Sequence, residues 1–220
     1  MIIYINYIGM SIVNPYIDTE LETTITLQPN QGNNNAELYM MENLKLIHNK
    51  RIFQSYGYIC EIYGISRYEG GIVQLSNPIG SSTFNVIFRC RLCIPLLAKK
   101  EPIMCKIDKI ITTETLLISA SNGPIKVLIR NNINPEKFKV GKMIYGLDNV
   151  TKKFVLLKQG DYVKVLLLSY KYNANDEIIT CFGELMALAT DEEIKQHIND
   201  EFENKENYVK YEDYVKSASK

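Results

Sequence analysis

The sequence has little of the chemistry that most enzymes use. Its 220 residues include no tryptophan and only two histidines, His48 and His197. None of the common catalytic or phosphate-binding patterns occurs: GxxxxGK[ST], GxGxxG after a strand, GxSxG or HExxH. Acid–base catalysis would need carboxylates alone, and Asp108, Glu114 and Asp161 do not differ from ordinary surface acids. We therefore predict a non-catalytic protein that needs no cofactor.

Long hydrophobic runs are also missing. No stretch approaches the roughly 18 apolar residues of a membrane helix. Residues 1–5 lack the positive flank of a signal peptide, and we expect a first strand or a frayed end there. The sequence therefore predicts a protein that does not contact a membrane.

The five cysteines are an odd number scattered along the chain, which favours reduced thiols in an intracellular protein. Cys90 and Cys93 have the spacing of a zinc or redox pair, but no second pair follows at a suitable distance. Residues three apart in a strand also point to opposite faces. We therefore predict neither a metal site nor a disulfide.

The formal net charge is zero, yet the charges are unevenly distributed. Residues 1–95 hold 6 basic and 7 acidic side chains, residues 96–175 hold 14 and 6, and residues 176–220 hold 5 and 12. The middle segment is therefore basic and the last segment acidic. A basic segment is typical of polyanion binding, although an ordinary solubilising surface is the alternative.

The residue pattern of the first part of the chain, residues 1–97, predicts a helix on a small antiparallel sheet. Residues 11–15 read as an extended segment stopped by proline, and residues 27–35 as an Asn-rich loop. Residues 36–50 place Leu38, Met41 and Leu44 at helical spacing, with His48 as a capping or surface residue. Residues 55–65 and 83–95 alternate as strands.

The second part, residues 98–189, predicts a five-stranded OB barrel. Strand patterns occupy residues 103–111, 115–121, 125–130, 162–172 and 177–185, with a long loop between the third and fourth. The last two strands form a hairpin that closes the barrel. In its first strand Val163, Val165 and Leu167 should face the core, and Lys164 and Leu166 the outside.

Basic and aromatic residues mark the outside of this predicted barrel. Lysines attract phosphates without reading sequence, and tyrosine rings stack on unpaired bases. The alternative is that another protein covers the outward Leu166 and Leu168, with the lysines at its rim. The RNA-binding candidates are Lys106, Lys109, Lys126, Arg130, Lys164, Tyr170 and Lys171.

Residues 190–220 predict an acidic tail that is helical at its start. Thr190 and Glu193 have the spacing of a capping box, and Ile194, Ile198 and Phe202 lie one turn apart. Beyond Phe202 the apolar content falls, and we expect fraying or disorder.

The order of these pieces resembles the larger stalk subunit of archaeal and eukaryotic RNA polymerases, called RpoE in archaea. The Asn-rich insertion, the acidic tail and the stretch LLAKKEP depart from the cellular pattern. The chain is also rich in Ile, Asn, Lys and Tyr, whose codons are AT-rich, and together these features favour the polymerase of a large cytoplasmic DNA virus. The matching stretches are YGYICEIYGI (56–65), GGIVQ (70–74), FNVIFRCRLCIP (84–95), NGPIKVLI (122–129), INPEKF (133–138), and GDYVKV with CFGEL in the last hairpin.

The resemblance implies a non-catalytic subunit whose N-terminal tip domain docks on the polymerase core and whose OB domain contacts nascent RNA. It also implies a small helical stalk partner, RpoF-like, and a location in the virion and host cytoplasm if viral or the nucleus if cellular. A free-standing RNA-binding OB protein, such as a translation-factor-like module, is the alternative. The core-contact residues that the resemblance implies lie in a tip loop: Arg67, Tyr68, Gly70, Gly71, Asn77 and Gly80.

Overall fold

Alternating apolar and polar residues build most of the structure as β-strands. The computed structural model describes residues 12–31, 35–73, 80–95, 101–112 and 116–203. The elements of these residues are β1 (Tyr16–Leu27), α1 (Ala36–His48), β2 (Ile52–Phe53), β3 (Gly57–Val73), β4 (Ser82–Cys93), β5 (Ile103–Thr112), β6 (Leu116–Asn122), β7 (Ile125–Arg130), β8 (Phe138–Val140), β9 (Ile144–Leu147), β10 (Phe154–Leu156), β11 (Tyr162–Lys171), β12 (Ile179–Leu188) and α2 (Asp191–Glu203).

The N-terminal part is a four-stranded antiparallel sheet with α1 packed on it. The strand order is β1-β4-β3-β2. The predicted helix and sheet are present, but the predicted apolar face of the helix is only partly buried. Met40 and Leu44 are fully buried, whereas Leu38 is 58% exposed. Apolar residues surround most of this helix, so spacing alone does not identify the side that docks.

Strand β1 is absent from the sequence prediction, which ended the extended segment at Pro15. The strand begins at the next residue and pairs along its whole length with β4, from Tyr16 opposite Cys93 to Leu27 opposite Ser82. Proline restricts its own φ and the residue before it, so the residues after it are free to extend. Asn14-Pro15 therefore precedes the start of β1 and does not end an extended segment.

The predicted glycine-rich tip loop is instead the far end of a long hairpin. Arg67, Tyr68, Gly70 and Gly71 lie within β3, which pairs with β4 up to Val73 opposite Ser82. The register shifts between Gly70 and Ile72, and Gly70 and Gly71 have φ of +114° and +93°. Glycine adopts such angles without strain, so the pair forms a β-bulge within the strand.

The C-terminal part is a closed five-stranded barrel in the order β11-β12-β7-β6-β5. Strands β12 and β7 are parallel, and the other neighbours are antiparallel. All five strands lie where the sequence predicts them, and the barrel is consistent with an OB fold. The inward positions of Val163, Val165 and Leu167 are confirmed, since all three are buried.

The connection between β7 and β11 is not a simple loop as predicted. It folds into a three-stranded antiparallel sheet in the order β10-β9-β8. Its inner face buries Phe138 and Ile144 and lies against Leu188 of β12, which is close to Gly146. Strands of three or four residues are too short to show a period-two pattern, so the sequence did not reveal them.

Hydrogen bonds join the N-terminal sheet to the barrel. The amide of Val13 donates to the carbonyl of Pro102 at 3.0 Å, and the Tyr16 hydroxyl donates to Asn122 Oδ1 at 2.9 Å. The turn between β11 and β12 exchanges two backbone bonds with Ile52. The buried residues of both parts form one hydrophobic cluster. The predicted division at residue 97 remains a prediction, and residues 96–100 lie outside the described ones.

Gly183 is a point where the barrel interior leaves no room for a side chain. An added Cβ would lie 2.6 Å from Val165 Cγ1 and 2.7 Å from Val127 Cγ1. We expect Gly183→Ala to lower the free energy of unfolding by roughly 1–3 kcal/mol through overpacking. Urea denaturation measures this loss. The control is Gly141→Ala, where the nearest atom would be 3.8 Å away, and an equal loss in both variants would contradict the packing argument.

Candidate nucleic-acid interface

Cross-strand pairing brings three of the predicted basic residues into one row around the barrel. Lys171 of β11 lies opposite Thr180 of β12, and Thr180 lies opposite Lys126 of β7. Lys126 in turn lies opposite Ser121 of β6, and Ser121 lies opposite Lys106 of β5. The three lysines are exposed, and the residues on either side of Lys106 and Lys126 are buried in the barrel. We call Lys106, Ser121, Lys126, Thr180 and Lys171 the basic row.

The other basic candidates of β5 and β7 extend this surface. Lys109 lies opposite Ser119, and Arg130 lies opposite Leu117 on the same strand, β6. Both cations are exposed. Phe182, 49% exposed, lies opposite Leu128 and thus between the positions of Lys126 and Arg130. An exposed ring among cations is suited to stacking on a base.

Phe182 was missing from the sequence-based candidates although the sequence contains a signal for it. Ile179, Cys181 and Leu185 alternate as apolar residues and are buried in the barrel. A period of two therefore places Phe182 on the outside. The sequence-based candidates were lysine, arginine and tyrosine residues, so this phenylalanine was not among them.

Three members of the basic row have partners on the barrel. Lys126 Nζ lies 3.5 Å from Asp108 Oδ2, and the Ser121 hydroxyl donates to Asp108 Oδ1 at 2.8 Å. Lys106 Nζ lies 5.8 Å from the centre of the Tyr162 ring. All these groups are on the surface, where such contacts contribute little stability and exchange readily with other partners.

Lys164 points outward, as predicted, but it does not belong to the exposed basic surface. It is 7% exposed, and its ammonium group is bonded to Glu193 of α2. The predicted capping box at the start of α2 is confirmed. The Glu193 amide donates to the Thr190 hydroxyl at 3.3 Å, and the Thr190 amide donates to Glu193 Oε2 at 2.9 Å. The cap therefore holds the carboxylate that pairs with Lys164.

Tyr170 and Lys171, at the end of β11, lie in different surroundings. Lys171 belongs to the basic row, whereas Tyr170 is exposed and stacks on Tyr172, with ring centres 5.3 Å apart. The Tyr172 hydroxyl donates to the carbonyl of Ser55 at 3.1 Å. Tyr170 therefore lies where the barrel meets the N-terminal part and has one ring face covered by Tyr172.

The residues predicted to contact a polymerase core cluster at the far end of the β3–β4 hairpin. Arg67, Tyr68 and Gly70 are exposed, and Tyr68 makes an edge contact with Phe84. Gly71 is half-buried, and Gly80 lies in a turn beside Pro29. Asn77 lies outside the described residues. Exposed Ile72 and Val73 add apolar surface that the sequence analysis did not single out.

The cysteine pair of β4 is enclosed by the sheet. Cys90 and Cys93 are both fully buried, and burial raises the pKa of each thiol well above its usual range. A thiol held protonated is a poor nucleophile and a poor metal ligand. Among the described residues no group of three or more His, Cys, Asp or Glu side chains is arranged to hold a metal ion.

The fold and this surface define a β-barrel protein with a row of exposed lysines on its outer face. No helix within the described residues has the length and apolar character needed to cross a membrane. No model of a known protein family matches the chain.

The chain is similar to a protein of Acanthamoeba polyphaga mimivirus named "Putative DNA-directed RNA polymerase subunit L376". The two are 32% identical over 189 residues, which cover 84% of this chain and 89% of the mimivirus protein. The chain therefore belongs to this family of DNA-directed RNA polymerase subunits.

Proposed function

We propose that the protein is the larger stalk subunit of a viral multisubunit RNA polymerase, that it has no catalytic site of its own, and that its barrel contacts nascent RNA. The family relationship supports the polymerase assignment. The order of a sheet with one helix, a long hairpin and a closed five-stranded barrel agrees with the stalk-subunit pattern that the sequence resembles.

The observation that carries the RNA contact is the row of lysines around the barrel. Lys106, Lys126 and Lys171 lie on β5, β7 and β11 at matched register, with Ser121 of β6 and Thr180 of β12 between them, and Lys109 and Arg130 lie one or two rows away. Strands in a sheet lie about 4.8 Å apart, so lysines on alternate strands lie about 10 Å apart along the row, and their long side chains can reach phosphates of one extended RNA strand. Such a surface holds RNA by charge and without sequence preference.

The far end of the β3–β4 hairpin is the proposed contact with the polymerase core. Tyr68, Ile72 and Val73 are exposed there beside Arg67. Aromatic, aliphatic and arginine side chains are typical anchors of protein interfaces. A sheet end that is apolar and exposed in the separate subunit is stabilised when a partner covers it.

A small helical stalk partner, RpoF-like, is part of the proposal, together with a location in the virion and the host cytoplasm. Helix α1 supports a partner because Leu38, Leu46 and Ile47 are all exposed. We expect the partner to cover part of this helix. The mimivirus relative supports the viral location.

The docking proposal predicts a specific loss of assembly. We expect Tyr68→Ser with Ile72→Ser to reduce binding to a polymerase core that lacks this subunit by about tenfold or more, as for interface anchors. The control is Leu168→Ser with Ile178→Ser, which removes exposed apolar side chains of the barrel. The affinity of each variant for immobilised polymerase core is the measured quantity. If the hairpin variant and the unmodified chain bind with equal affinity, this end is not the docking site.

A further inference from the structure

The sheet inserted between β7 and β11 has an outer face that the barrel contact does not use. Cross-strand pairing gives this face two rows. Lys139 lies opposite Tyr145, which lies opposite Leu156, and Leu147 lies opposite Phe154. The amide of Leu147 donates to the carbonyl of Lys137 at 2.7 Å, which adds Lys137 to the second row. We call Lys137, Lys139, Tyr145, Leu147, Phe154 and Leu156 the insertion face.

The rings of Tyr145 and Phe154 are partly exposed, because the opposite face of their sheet packs on the barrel. Phe138 and Ile144, which alternate with the outer residues, are buried against the barrel. Tyr145 is 40% exposed and Phe154 is 38% exposed. An exposed phenylalanine ring is less stable in water than a buried one, so a ligand that covers Phe154 gains hydrophobic free energy.

A cation is placed directly at one ring. Lys139 Nζ lies 4.1 Å from the centre of the Phe154 ring, which is a cation–π contact. A base that stacks on the neighbouring aromatic surface would bring its phosphate close to this ammonium group. Aromatic rings interleaved with lysines are the arrangement by which proteins bind unpaired nucleotides.

The charges around the face favour an anionic occupant over an apolar one. Residues 131–161 contain six lysines and three acids. Two of the acids are engaged in turns: Asp148 bonds to Thr151 and to the amide of Val150, and Asp161 accepts the amide of Lys158 at 2.7 Å. The acids therefore stabilise the turns of the insertion while the lysines remain on its surface.

We infer that the insertion face is a second site for single-stranded RNA, at which unpaired bases stack on Tyr145 and Phe154 and Lys137 and Lys139 bind the phosphates. This site goes beyond the barrel contact and does not depend on it. Because stacking needs splayed bases, the site should prefer a single strand over a duplex of equal length.

The test uses the full chain and an oligouridylate of about twelve nucleotides, within the range that such surfaces accommodate. We expect Tyr145→Ser and Phe154→Ser each to weaken binding about tenfold, since one stacked base contributes that much. Tyr145→Phe and Phe154→Tyr keep the rings and should bind as the unmodified chain does. Ile178→Ser, which removes an exposed apolar side chain outside both proposed surfaces, is the control and should have no effect.

A barrel variant, Lys106→Ala with Lys126→Ala, separates this site from the proposed function. If the barrel variant weakens binding and the ring variants do not, the insertion face is not an RNA site and the barrel contact stands. If only the ring variants weaken it, the barrel contact fails and the inference stands. If the ring variants bind RNA normally but lose the polymerase core, the face binds protein, and the inference is overturned.

A thiouridine oligonucleotide gives a direct measurement on the unmodified chain. Ultraviolet cross-linking and peptide mapping should place a cross-link between residues 138 and 156. Cross-links confined to the barrel strands, or competition by duplex RNA as strong as by the single strand, would contradict the inference.

Discussion

Raising the salt concentration from about 50 to about 200 mM will weaken binding of single-stranded RNA to the barrel about fiftyfold. Five exposed cations lie on the barrel surface, and Lys126 shares its charge with Asp108 at 3.5 Å. We therefore count about four phosphate contacts, each of which contributes about −0.7 to the slope of log K against log salt for a single strand. A slope of about −2.8 over a fourfold change in salt gives this factor.

The same count predicts which substitutions reduce the slope. Lys106→Ala with Lys171→Ala removes two members of the basic row, so the slope should fall by about 1.4. Lys45→Ala with Lys195→Ala removes two exposed lysines of the helices and leaves the overall charge the same as in the first variant. Fluorescence anisotropy at several salt concentrations measures both. An affinity that does not change with salt, or equal slopes for the two variants, would contradict an electrostatic contact on the barrel.

Glu193→Ala will destabilise the fold more than any other single change on α2. Glu193 completes the capping box with Thr190 and also pairs with Lys164, whose side chain is 8% exposed. Removing one partner of a buried ion pair costs roughly 3–5 kcal/mol, because the other charge stays buried without a counter-charge. Glu193 is itself partly exposed, so we expect a loss of about 3 kcal/mol in the free energy of unfolding.

Two further variants separate the ion pair from the helix. Glu192→Ala removes an exposed acid from the same first turn and should change the free energy of unfolding by less than about 0.5 kcal/mol. Adding Lys164→Met to Glu193→Ala removes the buried ammonium group and should recover part of the loss. Urea denaturation provides all three values. No recovery in the double variant would show that the cap, and not the pair with Lys164, accounts for the loss.

The barrel was predictable because most of its strands carry a period-two pattern of apolar residues. Val163, Val165 and Leu167 alternate with polar or outward residues, and turn residues such as Gly123 and Pro124 separate β6 from β7. The capping box of α2 was predictable because Thr190 and Glu193 interact locally. In both cases the physical cause lies within a few residues of the sequence.

The missed features depend on contacts between distant residues. The register that assembles Lys171, Lys126 and Lys106 into a row arises from four strand pairings across five strands. Helix α2 packs over Lys164 through a tertiary contact. The strand pattern therefore predicted correctly that this lysine points outward but could not predict that it is buried. Only the end of the β3–β4 hairpin was predicted as a loop, from the resemblance, but β4 pairs with β3 up to Val73 and accommodates Gly70 and Gly71 as a bulge.

Purification of the tagged chain from its native source at moderate salt tests the central claim most directly. The proposed stalk role predicts that the large RNA polymerase subunits co-purify with the chain, together with one small helical protein. Recovery of RNA without any polymerase subunit would contradict the stalk role and would instead indicate a free-standing RNA-binding protein.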